Sequence, residues 1–317
     1  MSYPAYIPSP SNNGFYLGPL FVHAYGLAYV FAVAAAIVVT RWRWRRVGGD
    51  PDICYEAAAW GFPAGLIGGR IYFLITTPSQ IPPHWWGPFA IWKGGLGIWG
   101  GILCGILGGL YIVRKRLTRG DVLRFMDAAA PGLLVAQAIG RIGNYFNQEL
   151  FGKPSTLPWA LKISPDHRPE HFTQYATFQP TFLYEIIWNL GLAGFLIWLG
   201  NRRRIKPPGL LALYVAGYSA FRMFEEQLRI DYSVHVLGFR LNFWIALLVC
   251  LAGIAWFVWI QRRGKTEPLP LDGPKPDARE FVRRGGGGYR KPPSATYGKK
   301  SASGAGPPSR SGGSRRR

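Results

Sequence analysis

Acid, cysteine and histidine are all scarce in this sequence. Its 317 residues include 16 Asp and Glu against 37 Lys and Arg, for a formal charge of +21. Cys54, Cys104 and Cys250 fall in or beside apolar stretches as small hydrophobes, which excludes a disulfide framework and a cysteine-based metal cluster. His23, His84, His167, His171 and His235 have no ligand spacing beside matching Cys or Asp, so neither metal nor cofactor is implied. No convincing internal repeat is visible, and that weighs against a transporter, whose site is expected at mid-membrane between repeated halves. Basic residues are missing from the opening "MSYPAYIPSPSNNGFYLGPL", which also lacks a small-residue cleavage site after a short core; the first apolar run is expected to be an uncleaved span.

What is present is hydrocarbon in long runs. Seven segments, roughly Leu20 to Thr40, Ala57 to Ile75, Ile91 to Val113, Val122 to Ile139, Thr181 to Gly200, Pro208 to Gln227 and Leu241 to Ile260, each approach the ~20 residues that cross a bilayer core as a helix. The fourth is interrupted by Asp127, Pro131 and Gln137, and Asp127 is expected in a satisfied interhelical contact, because a polar group at that depth must face protein. The predicted class is therefore all-α, a polytopic membrane protein with seven transmembrane helices. Basic runs follow segments one, three, five and seven ("RWRWRR" from Arg41, "RKRLTR" from Arg114, "NRRRIK" from Asn201, "QRRGK" from Gln261), while "TTPSQIPPHWWGPFA" from Thr76 has none. Basic loops mark the cytoplasmic side, which places the amino terminus outside and the carboxyl terminus inside.

Residues 1–264 thus form the expected membrane domain, and residues 265–317 a Gly-, Pro- and Ser-rich basic tail expected to be disordered. Tethered beside a membrane, the tail is expected to meet anionic inner-leaflet lipid, at up to ~1 kcal/mol per basic residue close to the surface. Its Arg–Gly–Tyr interleaving is a weak signal for RNA, and nucleic acid is not the expected partner.

Polar residues from five separated stretches are placed at one depth by this topology. Tyr25 lies near the outer start of segment one and Arg70 toward the outer end of segment two. Arg141, Asn144, Asn147 and Glu149 follow segment four; Gln179, Tyr184 and Glu185 open segment five; Arg222 and Glu226 share a face of segment six. Snorkelling accounts equally well for Arg70 and Arg229 taken singly, but poorly for the mixed group. Two permanent cations, Arg141 and Arg222, suit a phosphodiester, since guanidinium forks match phosphate oxygens. Glycine-dense stretches ("GFPAGLIGGR", "WKGGLGIWGGILCGILGGL") read first as close helix packing and, beside the arginines, as a lipid cavity. A structural lipid-binding protein would keep both arginines with no need for a base.

The order of "VHAYGLAY" from Val22, "GRIGNYFNQELFG" from Gly140, "QPTFLYE" from Gln179 and "FRMFEEQLR" from Phe221 resembles the phosphatidylglycerol:prolipoprotein diacylglyceryl transferases over about Leu20 to Ile260, in the form found in high-GC Gram-positive bacteria. The resemblance implies a bacterial plasma-membrane enzyme, active toward the extracytoplasmic face. Such an enzyme moves the diacylglyceryl group of phosphatidylglycerol to the lipobox cysteine of a preprolipoprotein, forming a thioether and releasing glycerol phosphate. Its partners would be phosphatidylglycerol and signal peptides with a lipobox cysteine. Matched residue by residue, the family's signature arginine, asparagine, glutamate and closing glycine fall on Arg141, Asn144, Glu149 and Gly152. The sixth-span arginine and glutamate fall on Arg222 and Glu226, the first-span tyrosine on Tyr25, and the fifth-span tyrosine and glutamate on Tyr184 and Glu185. Catalytic roles are expected for Arg141, Arg222, Glu226, Asn144 and Tyr25, with substrate contacts extending to Glu149, Gly152, Gln179, Tyr184, Glu185, Arg70 and Trp99.

Two positions depart from the proteobacterial pattern. Trp99 stands where the third-span "FHGG" histidine would be, and Gln179 replaces the histidine of "HP". A mechanism that requires a histidine base therefore cannot apply unchanged. The incoming thiol starts near a pKa of ~8.5, cationic surroundings favour its thiolate, and Glu226 either accepts its proton or orients Arg222.

Overall fold

A computed structural model describes residues 6–90 and 94–266. The expected tail therefore lies outside the described residues from 267 onward, as do residues 91–93 at the predicted start of the third segment. Among the described residues there are seven α-helices, one for each apolar segment: α1 (Ala24–Arg46), α2 (Asp52–Thr76), α3 (Ile98–Arg116), α4 (Arg119–Asn147), α5 (Thr181–Arg202), α6 (Gly209–Leu228) and α7 (Leu241–Arg263). Five of them, α1, α2, α4, α5 and α7, are long and apolar enough to cross a membrane. Large apolar side chains such as Val38, Ile75, Leu103 and Leu248 are 60–75% exposed along the helices, a surface that only a lipid environment covers.

Several boundaries differ from the expectation. The basic run Arg41 to Arg46 is the last turns of α1 rather than a loop, and Arg114, Lys115 and Arg116 likewise close α3; cations there complement the partial negative charge of a helix carboxyl end. α3 begins at Ile98, because Gly94 and Gly95 have φ of 85° and 80°, a conformation no helix accepts. The predicted start of the first span at Leu20 is instead a strand. β1 (Gly14–Leu17) and β2 (Leu20–His23) form an antiparallel hairpin ahead of α1, and two more hairpins pair β3 (Leu161–Lys162) with β4 (Thr177–Phe178) and β5 (His235–Val236) with β6 (Phe239–Arg240).

The interrupted fourth segment is the hub of the fold. α4 is a continuous helix of 29 residues, capped by Thr118, whose Oγ1 accepts the Asp121 N–H, and closed where Gln148 turns left-handed with φ 51°. Half of its apolar window is buried, against 17–22% in the other four candidate spans, so its polar residues face protein rather than lipid. Asp127 accepts the Leu211 N–H at 3.0 Å, satisfying an amide in the first turn of α6. At ~1.5 Å per residue α4 outruns a ~30 Å hydrocarbon core, and its last turns, "GRIGNYFN", project toward the hairpins.

α2 and α3 pack on each other through glycine. The Gly97 N–H reaches the Gly69 carbonyl at 2.8 Å, and a Cβ on Gly100 would fall 2.2 Å from the Gly68 carbonyl oxygen. These glycines serve helix contact rather than lining a cavity. Two apolar clusters set the ends apart. Trp44, Ile53, Val113, Val122 and Phe125 fill the basic end, whereas Phe151, Leu161, Ile163 and Phe178 form a small core under the hairpins. Bridges from Ile7 to Leu161 and from Gly152 to Arg229 tie the amino-terminal segment, the α4–α5 connection and the α6–α7 connection into one cap.

Candidate functional site

The first half of the site grows out of the end of α4. Arg141 and Asn144 are three residues apart and therefore on one face; Arg141 Nη1 donates to Asn144 Oδ1 at 3.1 Å. Asn144 Nδ2 donates to Glu149 Oε1 at 2.7 Å, across the left-handed turn that brings Glu149 back over the helix end. Gln148 at that turn is locked from both sides: its Nε2 donates to the Pro10 carbonyl at 3.0 Å and its Oε1 accepts the Ser164 N–H at 2.8 Å. From α5, Glu185 meets Arg141 Nη2 at 2.6 Å through Oε2 and accepts the Tyr218 hydroxyl of α6 at 3.2 Å through Oε1.

The second half is built on α6. Arg222 Nη1 lies 2.6 Å from Glu225 Oε2, and its Nη2 pairs with Glu226 Oε1, the i,i+3 and i,i+4 neighbours on the same helical face. Glu226 Oε2 is met by Arg240 Nε at 2.7 Å, from the residue that precedes α7. Arg240 also reaches Asp231 Oδ2 at 2.9 Å and donates to the carbonyls of Arg229 and Asp231 at 3.1 and 2.9 Å. Arg229 closes the ladder onto Asp231 Oδ1 at 2.7 Å. Burial pushes the Asp231 carboxyl upward, but the hydrogen bond and charge of Arg229, joined by Arg240, outweigh it and hold the group below the usual carboxylate range.

Around Arg141 and Arg222 the cations are the more open partners. Arg141 and Arg222 keep 18% and 20% of their side-chain surface open, while Glu185, Glu225 and Glu226 keep 1%, 2% and 0%. The guanidinium groups thus front an accessible space with their carboxylates behind them. An apolar groove of about 590 Å³ runs along α5 and α6, lined by Tyr184, Ile187, Trp188, Leu192, Phe195 and Phe221. Tyr184 and Phe221 precede Glu185 and Arg222 in the chain, and neither arginine is among the residues that line the groove. Among the described residues no three His, Cys, Asp or Glu side chains converge as metal ligands; the carboxylates meet arginine instead.

Other expected site residues take distinct places. Tyr25 lies against α4 at Gly143, where a Cβ would fall 2.2 Å from its ring, and this sets it beside the Arg141–Asn144 face. Gly152 is wedged in backbone: its N–H donates to the Gln179 carbonyl at 2.9 Å, and a Cβ would sit 3.0 Å from Gln179 Cβ and 3.1 Å from the Leu228 carbonyl oxygen. Gly152 and Gln179 thereby close the α4–α5 connection on itself and fasten it to the end of α6. The Tyr184 hydroxyl accepts Trp159 Nε1 at 3.1 Å at the groove mouth. Arg70 belongs to a separate arrangement, buried and donating to the carbonyls of Gly87, Pro88, Gly94 and Gly95 at 2.7–2.9 Å, where it fastens the α2–α3 connection. Trp99 is 58% exposed on the first turn of α3, and no contact joins it to the arginine network among the described residues.

Sequence reasoning missed Glu225, Asp231 and Arg240. Glu225 carried a signal, its i,i+3 spacing from Arg222, and Asp231 a weaker one, two residues after Arg229; Arg240 carried none, because Glu226 lies fourteen positions before it on another helix.

A family model described as prolipoprotein diacylglyceryl transferase matches residues 13–259. Proteins named phosphatidylglycerol--prolipoprotein diacylglyceryl transferase are similar over most of the chain. The one from Frankia alni is 45% identical over 261 residues, covering 81% of this chain and 68% of its own. That from Cutibacterium acnes is 45% identical over 264 residues, 81% of this chain and 87% of its own. That from Bifidobacterium adolescentis is 41% identical over 280 residues, 84% and 83%.

Proposed function

The chain belongs to the prolipoprotein diacylglyceryl transferase family, and on that premise we propose that Arg141 and Arg222 hold the phosphodiester of phosphatidylglycerol while a lipobox thiol displaces it. The protein is a transferase that moves the diacylglyceryl group from phosphatidylglycerol to a lipobox cysteine. The observation that carries the proposed roles is the pair of partly open guanidinium groups backed by buried carboxylates, which matches the anionic head of a phospholipid, while the apolar groove on α5 and Phe221 offers a surface for acyl chains.

In this reading the sulfur attacks the glycerol carbon that bears the phosphate, the carbon–oxygen bond breaks, and glycerol phosphate departs. Arg141 and Arg222 stabilise the charge that grows on the leaving group, a preorganised contribution of ~10²–10³-fold for each well-placed donor. Asn144, braced by Glu149, orients Arg141 and offers an amide to a phosphate or ester oxygen. Glu226, engaged at both oxygens by Arg222 and Arg240, positions Arg222. Tyr25 closes the α1 side, and Tyr184 sits where head group and groove meet. Gly152 and Gln179 act through the backbone that fixes the cap.

The fold serves this reading as seven spans, with α3 and α6 crossing beside the five more apolar helices, the amino terminus outside and the hairpin cap with its site toward the extracytoplasmic face. The basic helix ends support that orientation. Residues 1–264 act as the catalytic unit, and the basic tail beyond them meets anionic lipid of the inner leaflet. The test is a lipobox peptide incubated with protein and phosphatidylglycerol vesicles and read by mass. Arg141→Lys and Arg222→Lys keep the charge but lose the planar fork, and each is expected to lower kcat/KM by about 10²-fold. Full turnover in both variants would overturn these roles.

A further inference from the structure

The two carboxylates that follow Arg222 on α6 are tethered unequally. Glu226 is ion-paired at both oxygens, with Arg222 on Oε1 and Arg240 Nε at 2.7 Å on Oε2 and Arg229 Nη1 4.0 Å from Oε1, although among the described residues neither oxygen accepts a hydrogen bond. Glu225 meets Arg222 Nη1 alone, at 2.6 Å through Oε2, and has no second guanidinium within ion-pair distance among the described residues. Arg141 of α4, Glu185 of α5 and Arg229 at the end of α6 stand within electrostatic reach of it, as does Tyr218 on its own helix. A phosphodiester that arrives at the open edge of Arg222 must share that guanidinium with two carboxylates already present. Of the two, Glu226 is held from the far side by Arg240, so Glu225 is the one that yields.

From this unequal tethering, and resting on the transferase reading of the site, we infer that Glu225 is the general base, released from Arg222 when lipid phosphate takes its place. The peptide S–H gives its proton to the Glu225 carboxylate, and the sulfur electron pair forms the bond to the glycerol carbon. The bond from that carbon to the phosphate oxygen breaks, its electron pair leaving on glycerol phosphate. The proton then passes to the departing product or to water, and Glu225 returns to Arg222. Base and lipid are thereby coupled: the carboxylate is occupied in the empty site and becomes available when phosphatidylglycerol is bound. No histidine is required, in keeping with Trp99 and Gln179 at the places of the family's histidines.

The experiment uses the full chain in phosphatidylglycerol vesicles with a lipobox peptide and with the same peptide carrying selenocysteine. Glu225→Gln is expected to lower kcat on the thiol peptide by about 10²-fold near neutral pH, in the range of general-base catalysis. The deficit should shrink as pH rises past the thiol's ~8.5, and should be small on the selenol, which is ionised without help. KM for phosphatidylglycerol should stay level or fall, since a competitor for Arg222 has been removed. Glu226→Gln should instead raise that KM with no recovery at high pH. A Glu225→Gln rate equal to wild type, or a loss that is the same at every pH and on both peptides, overturns the inference. If Glu225→Gln does not fold, Glu225→Asp carries the test: the shorter carboxylate should slow the thiol peptide and spare the selenol, and equal slowing of both refutes it. A wild-type protein silent on both peptides would refute the transferase reading itself, a result distinct from an active wild type with a pH-independent variant.

Discussion

Replacing Arg240 with Met tests whether the cap and the site are one mechanical unit. The side chain is 8% exposed and makes four contacts: Glu226 at 2.7 Å, Asp231 at 2.9 Å, and the carbonyls of Arg229 and Asp231 at 3.1 and 2.9 Å. Methionine fills comparable volume but supplies no donor. Removing one partner of a buried ion pair costs about 3–5 kcal/mol when the remaining charge is left uncompensated, but Glu226 keeps Arg222 on Oε1 and loses less. The Asp231 contact adds little, since that carboxylate is 35% exposed and keeps Arg229, and surface pairs contribute about 0–1 kcal/mol. The expected loss is therefore about 1–3 kcal/mol, dominated by Glu226. Reversible unfolding in mixed micelles measures it, and a cycle with Glu226→Gln isolates the pair. The double variant should be less destabilised than the sum of the single ones by about 1–3 kcal/mol, as expected for residues in one network. Kinetically, Arg240→Met should raise KM for phosphatidylglycerol, because Arg222 loses the brace behind Glu226. A loss under about 1 kcal/mol, or strict additivity with Glu226→Gln, would refute the idea that Arg240 is the keystone.

Four further outcomes are expected. Gly100→Leu should separate α2 from α3 and destabilise the protein by about 1–3 kcal/mol, since the added carbon meets backbone at Gly68; unchanged stability in the unfolding assay would count against glycine-mediated contact. A cysteine probe at Ser79 should label from outside intact cells and one at Ser303 only after permeabilisation, in a background lacking Cys54, Cys104 and Cys250; labelling of both from one side would sink the orientation. Truncation after Lys265 should leave turnover near wild type at equal abundance in the membrane, and loss of most activity would show that the tail belongs to the catalytic unit. Acid should loosen the cap: the lowered Asp231 group stabilises fully above its unfolded value of ~3.9 and loses that contribution as pH falls through its lower folded value, a dependence that Asp231→Asn should remove from the acid unfolding profile.

Sequence alone was enough for the architecture of helices, because hydrocarbon sets a length. Every apolar run near twenty residues became a helix, and the α5 start at Thr181 and α7 start at Leu241 coincide with the first residues of their runs. Arg141, Asn144 and Glu149 were legible as a group for a similar reason, since helix periodicity and one turn relate them over nine residues. Tertiary structure decided the rest. Arg70 and Arg229 look alike in sequence, both cations near a helix end, yet one fastens a loop through four carbonyls and the other closes an ion-pair ladder. The α3 start moved to Ile98 because Arg70 and two glycines of positive φ organise the segment before it. Helix spacing put Glu226 on the face of Arg222 but named no partner for Arg141, whereas the fold sets Glu185 behind Arg141 and adds Glu225 behind Arg222. A charge's partners in a membrane protein are chosen by which helices touch. Period and hydropathy describe one helix at a time, so the pairing of Arg240 with Glu226 was settled only when α6 and the start of α7 met.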